Sequence, residues 1–427
     1  MNENIFDRFL SAEPHVEYHP DYNPHSNPSA DKNEWSNIMA LTYDSATING
    51  QKTKVFAYIG FPDGASQLNK VPAVVLVHGG TGHPYAEWIK LWNDRGYAAI
   101  AMDNTGYFPS EKGKGIAGRE LEEQGLWHYG LYGDFLQDGY VNAPDNDKVQ
   151  TAAEPLEKQW LYHAIADTII AHKILANDER VDSKKIGISG ISWGGVITSL
   201  AIGYDTDYAF AISIYGSAYL DEGHGWMGPI FSEQNAKRLW SAADRLHNVK
   251  FPICWLCWAE DAPFSLNSNS KSYIATMKSG SVLNTKVNWG HCHSWGWNVP
   301  DSYIFADAAI GRRQSITTIK KEPLLQKVAD GSYKIVLDVL PDIDTVSLKA
   351  EAHYITADLS YSRKGAGEQA TIDQIWQTKD CSVSDNKNVT AFLPKEAVEF
   401  FVSIKTETNK DIYQISSRLI NLKNNKI

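Results

Sequence analysis

The chain has 427 residues, more than one ordinary domain needs, and its 43% hydrophobic content supplies a sizeable core. A formal net charge of -11 argues against a nucleic-acid or anionic-membrane surface and suits a neutral or weakly charged substrate. Four cysteines, Cys254, Cys257, Cys292 and Cys381, are too few and too unevenly placed for a disulfide framework.

The amino terminus, MNENIFDRFL, lacks a basic stretch followed by an apolar one, and no run of about 18 apolar residues occurs later. The expectation is a cytoplasmic chain with no membrane association, or a secreted one if a leader has been removed. Residues 1–40 are rich in proline, histidine and asparagine (His15, Pro20, Pro24, His25, Pro28) and read as an irregular arm over the surface. Short strands are expected at 40–43, 54–61 and 73–77, the last an uninterrupted buried run.

That run leads straight into His78-Gly79-Gly80-Thr81-Gly82. Three glycines in four positions let a backbone close around a small reacting group, so the backbone at Gly80 or Thr81 is a candidate oxyanion donor. A helix at 86–95, closed by Gly96, and a strand at 97–102 follow. Residues 105–155 form a long insertion with many aromatics. Trp127 and His128 are candidate substrate-rim residues there, against the plainer reading that such side chains only pin the loop down. A helix at 156–176 then returns to the sheet in βαβ fashion.

Gly187-Ile188-Ser189-Gly190-Ile191-Ser192-Trp193-Gly194-Gly195 places Ser192 within G-x-S-x-G behind a strand-like run, the sequence form of a nucleophile elbow. Trp193, opening the next helix, would give the second oxyanion amide. After a strand at 209–215, a second insertion, 218–248, contributes Trp226 as a further rim candidate. The strand at 251–258 carries Cys254 and Cys257 on opposite faces, which argues against a zinc or redox role. It ends in Ala259-Glu260-Asp261, where Asp261 is the candidate acid, Glu260 its competitor and Asp301 a remoter one.

The last strand, expected at 282–289, leads to Gly290-His291-Cys292-His293. One of these two histidines must be the base. The need for several residues of loop favours His293, with His291 the alternative. The pair alone cannot bind a metal, and no metal or other cofactor is expected. A helix at 302–310 closes the domain.

On the residues VLVHGGTGHPYAEWIKLWNDRGYAAIAMD, EKQWLYHAIADTIIAHKIL, GISGISWGG and NWGHCHSWGW, the chain resembles the acetylxylan-esterase-like branch of the α/β-hydrolases, related to dienelactone-hydrolase and prolyl-oligopeptidase catalytic domains. The resemblance covers about residues 40–312. It implies a mostly parallel sheet flanked by helices, an aspartate after the penultimate strand, matched by Asp261, and an H-x-H pair after the last strand, matched by His291 and His293.

Beyond residue 322 apolar and polar residues alternate at 333–339, 346–354, 370–376, 398–404 and 412–419. A C-terminal all-β, sandwich-like accessory domain at 322–427 is expected, with the catalytic domain at 41–315 and a structural or oligomer-forming role for the strands. The function expected is serine hydrolysis of carboxylic esters on an acylated sugar or another small-molecule ester. The alternatives are a prolyl-oligopeptidase-like peptidase and a non-catalytic binding protein on the same fold.

Overall fold

A computed structural model of the chain describes residues 4–24, 36–116, 123–130, 139–144, 152–223, 227–261, 263–356 and 376–423. Contacts divide it into two units, Met1–Ser213 with Gln234–Val249, and Ile214–Glu233 with Lys250–Ile427. None of the described helices is long and apolar enough to cross a membrane.

The first unit is built on strands β1 (Val16–Tyr18), β2 (Ile38–Ile48), β3 (Gln51–Gly60), β4 (Val71–Val77), β5 (Ala98–Met102), β8 (Val181–Ile191) and β9 (Phe210–Ile214), in the order β1-β2-β3-β5-β4-β8-β9. The pairs β1–β2, β2–β3 and β3–β5 are antiparallel, whereas β4 runs parallel to both β5 and β8. The short strands β6 (Tyr107–Pro109) and β7 (Trp127–Tyr129) form a separate ribbon inside the insertion. β4 is nearly all buried because its Val, Ala and Leu residues face covered surfaces on both sides, as a central parallel strand requires.

Helix α1 (Asp7–Leu10) precedes β1, α2 (Ala86–Asn93) precedes β5, α3 (Trp160–Asn177) precedes β8 and α4 (Trp193–Ala201) follows it. α3 is buried almost all round rather than along one face, so its polar residues need internal partners. The Tyr43 hydroxyl donates to the carbonyl of Asp167 at 2.8 Å, and burial pushes the Asp167 carboxyl well up while Ser45 bonds to it. The amino-terminal arm carries a buried anchor. Phe6 is fully buried, stacked on Tyr162 at 5.3 Å and edge-on to Tyr204 at 4.7 Å, because two aromatics three residues apart give one turn of helix an apolar face.

Two short helices, α5 (Met227–Ser232) and α6 (Gln234–Trp240), come between β9 and β10 (Ile253–Trp258) in sequence. The second unit pairs β10 and β11 (Val282–Lys286) in parallel, with α7 (Leu266–Thr276) between them in sequence. Cys254 and Cys257 are buried on β10, none of the four cysteines is in a disulfide, and burial pushes the Cys257 thiol up to about 12. Beyond α8 (His293–Trp297) and α9 (Pro300–Ala309) the described chain is all strand. β12 (Thr318–Lys327), β13 (Tyr333–Leu340), β16 (Ser382–Ser384) and β17 (Asn388–Leu393) form one sheet, ordered β12-β13-β17-β16. β14 (Thr345–Ile355), β15 (Gln377–Asp380), β18 (Glu399–Thr408) and β19 (Ile412–Ser416) continue the other sheet as β10-β11-β19-β18-β14-β15. The join is antiparallel, Leu283 facing Ser416. The strand expected at 370–376 lies almost wholly outside the described residues.

Candidate active site

Parallel pairing decides where the chemistry of the first unit collects. Val77 is opposite Gly190 on one side and Met102 on the other, so the segments after β4, β5 and β8 emerge at one end of the sheet. Ser192 stands at the turn from β8 into α4 with φ 58° and ψ -119°. That conformation is rare for a residue with a Cβ and costs of the order of 1–3 kcal/mol, so the surroundings must impose it. They do so through close backbone contact. A Cβ on Gly190 would lie 2.0 Å from the Gly194 carbonyl oxygen, and one on Gly194 would lie 1.9 Å from that of Val77. Only glycine lets strand and helix approach this closely.

The loop after β4 also carries a left-handed residue, Thr81 at φ 58°, and a tight turn in which the Gly82 amide donates to the Gly79 carbonyl at 3.1 Å. His78 fixes it. Its Nδ1 donates to the Gly79 carbonyl at 2.8 Å, its Nε2 accepts from the Asn104 amide at 3.2 Å, and Asn104 Nδ2 donates back to the His78 carbonyl at 2.9 Å. The contact with the Gly79 carbonyl places a proton on Nδ1. The Trp160 indole N–H donates to the Asn104 carbonyl, and Trp193 packs edge-on against Trp160 at 5.1 Å. Asp103 holds the next turn, accepting from the amides of Thr105 and Tyr107 and from the Thr105 hydroxyl, each at 2.9 Å. This buttress of His78, Asp103, Asn104 and Trp160 escapes sequence reasoning, apart from the position of Asp103 directly after a strand.

Trp127, on β7, packs edge-on against Phe56 at 5.7 Å and lies 5.6 Å from the ring of His83, which follows the glycine loop directly. Burial lowers the His83 pKa to about 4, so that ring is neutral at physiological pH. His128, beside Trp127, is half-buried. Trp226 lies outside the described residues.

In the second unit β10 and β11 are parallel, with Trp258 opposite Lys286, so the acid and histidine loops also leave from one end. His291 Nδ1 donates to Asp261 Oδ2 at 2.6 Å, and Asp261 is 2% exposed. A carboxylate held there fixes the proton on Nδ1 and leaves Nε2 as the acceptor, the arrangement a general base needs. The neighbouring carboxylate braces the loop instead. Glu260 Oε1 accepts from the Asn288 amide at 3.4 Å, and burial pushes its carboxyl up. Asp301 is engaged elsewhere, accepting from Asn284, Lys286 and the Gln414 amide.

The histidine joined to Asp261 is therefore His291 and not the His293 preferred from sequence. β11 stops at Lys286, not at residue 289, and Asn288 turns the chain at φ 53°. That length of loop brings His291 to Asp261. His293 instead opens α8, with its ring 6.4 Å from that of Trp297 one turn on.

A second buried pair, His172 with Asp205 at 2.6 Å, belongs to the opposite end of β8, where both line a cavity of about 410 Å³ with Ser183 and Lys184. It ties α3 to the turn after α4 and is remote in the fold from the elbow.

Residues 150–282 match the model of the prolyl oligopeptidase family, a span that takes in β8, the elbow, β10 and Asp261. Among solved structures, acetyl xylan esterase 1 from Thermoanaerobacterium sp. JW/SL YS485 is similar at 16% identity and a TM-score of 0.44, over 67% of this chain and 87% of that one. Acetyl xylan esterase from Paenibacillus sp. R4 is similar at 18% and 0.44, over 73% and 94%. Pyrococcus horikoshii acylaminoacyl peptidase gives 17% and 0.39, over 59% and 37%. No curated protein matches the chain in sequence. The family match takes in the strand and turn that carry Ser192 in its strained elbow conformation, so the likeness to the prolyl oligopeptidase family lies over the part of the chain that presents this serine.

Proposed function

We propose that this hydrolase cleaves carboxylic esters of acylated, uncharged carbohydrates through a triad of Ser192, His291 and Asp261. The observation that carries the reading is the Ser192 backbone, since a strained turn built from close-packed glycines is what a presented nucleophile requires. In the proposed cycle His291 Nε2 takes the proton from Ser192 Oγ as that oxygen attacks the acyl carbon. The developing oxyanion rests on backbone amides of the Gly80–Thr81 loop and of Trp193. The imidazolium, balanced by Asp261, returns the proton to the departing alcohol. Water then enters, gives its proton to His291 and its oxygen to the acyl carbon, and Ser192 is regenerated as the acid leaves.

An uncharged acyl sugar suits a chain of net charge -11 and an insertion whose aromatic Trp127 lies beside the glycine loop. Peptide hydrolysis is the second reading, and the family match over residues 150–282 favours it. The C-terminal strands, in two sheets, are proposed to be a sandwich-like module with a structural role. The deciding experiment offers acetylated oligosaccharides and N-blocked or proline-containing peptides in parallel. Faster release of acetate than of any amine is expected, and efficient peptide cleavage with inert esters would move the assignment to a peptidase.

The acid is tested by a pair of neighbours. Asp261→Asn is expected to lower kcat by about 10⁴, because an amide stabilises the wrong histidine tautomer and fails to balance the imidazolium. Glu260→Gln is expected to cost less than about tenfold, since that side chain only braces the loop at Asn288. Comparable losses from both, measured with an activated ester on folded proteins, would undo the distinction.

A further inference from the structure

Tyr215, directly after β9, combines three observations that ordinary packing does not require. It is a fully buried aromatic residue in the left-handed region, φ 49°, where a bulky side chain is a clear outlier. Its amide donates to the Leu256 carbonyl of β10 at 2.9 Å, which fixes the strained backbone against that strand. Its ring lies almost parallel to the imidazole of His291, centroids 4.4 Å apart and planes at 24°. Phe264 lies near parallel to the same imidazole at 5.9 Å and 19°, and Trp289 tilts against Tyr215 at 4.6 Å.

The Tyr215 hydroxyl is buried and makes no hydrogen bond among the described residues. A phenol whose O–H is unpaired is at a disadvantage to phenylalanine in a dry site, so what the surroundings use is the face of the ring. Backbone strain held against a strand, and aimed at one imidazole, points from an observed outlier to a role.

We propose that Tyr215 is a positioning residue for His291. Its ring, with Phe264, sets the plane of the imidazole while the hydrogen bond to Asp261 fixes its rotation within that plane. The negative face of the ring also favours the imidazolium that forms as the serine is deprotonated. This rests on the assignment of His291 as the base. Other titratable groups near the ring act differently: Asp261 bonds to Nδ1, Glu260 turns to the Asn288 amide, and Cys292 follows His291 with its Sγ 3.4 Å from Ser294 Oγ. None of them offers the imidazole a π face.

The test compares Tyr215→Leu with Tyr215→Phe, using an activated acetate ester between pH 5 and 9. Tyr215→Leu is expected to lower kcat about tenfold with KM changed less than about twofold. Because the imidazolium loses a favourable face, the acid limb of kcat/KM moves to lower pH by about half a unit. Tyr215→Phe is expected to restore both quantities, since it keeps the ring and discards only the unbonded hydroxyl. A folded Tyr215→Leu protein with the parent kcat and acid limb overturns the proposal. If that variant does not fold, Phe264→Leu carries the same test, and an unchanged profile there overturns it equally. Ser192→Ala run alongside separates the two levels. An inactive Ser192→Ala with an unaltered Tyr215→Leu removes only the stacking role, whereas an active Ser192→Ala removes the serine-hydrolase reading and this role with it.

Discussion

Ser192→Ala is expected to abolish turnover of small chromogenic acetate esters, with kcat falling by about 10⁶, while the protein stays folded. The magnitude follows from what is lost. Without Oγ there is no atom for the imidazole to activate and no acyl-enzyme, so only binding and the oxyanion amides remain to help water. Folding should survive because alanine can adopt the same backbone as serine, and the contacts that impose φ 58° come from Gly190, Gly194 and Val77. Circular dichroism and a thermal midpoint within about 2–4 °C of the parent would establish that. Near-normal turnover by a folded Ser192→Ala protein would dismiss the nucleophile.

The second large effect separates the two histidines two residues apart. His291→Ala is expected to reduce kcat by about 10³ to 10⁶, because it removes the histidine bonded to Asp261 and deprives a buried carboxylate of that partner. His293→Ala is expected to cost about tenfold or less, since that residue opens a helix of five residues and lies beside Trp297. Steady-state kinetics on both folded variants decides the matter, and the opposite ranking would return the base to His293.

The contrast between these histidines shows where sequence reasoning succeeds and stops. The elbow is legible because its cause is local: Gly190 and Gly194 are needed by atoms that the motif itself brings together. Asp261 is legible because a strand end three residues away fixes its place. Which histidine pairs with Asp261 is hard to read from sequence for a geometric reason. Val287 and Trp289 extend the strand pattern to residue 289, but backbone pairing ends at Lys286 and the longer loop brings His291 to Asp261. The His78–Asn104–Trp160 buttress is invisible in sequence because it joins the ends of three separate elements, which only the strand order brings side by side. Phe6 escapes notice likewise, as its partners Tyr162 and Tyr204 are remote in sequence.

The seam between β11 and β19 has a bearing on solubility. β11 is a largely buried strand paired in parallel with β10, and without β19 its outer row of amides and carbonyls would be a template for any extended chain. Instead Ser416 Oγ accepts from the Thr285 amide at 3.0 Å, Gln414 Nε2 donates to the Thr285 carbonyl at 2.8 Å, and the Gln414 amide is anchored on Asp301 at 2.6 Å. Among the described residues the margin is thereby passed outward through β18 and β14 to β15, which is four residues long, exposed throughout and carries Lys379 and Asp380. A short charged margin resists adding another strand, so the C-terminal segment exchanges a sticky border for a guarded one.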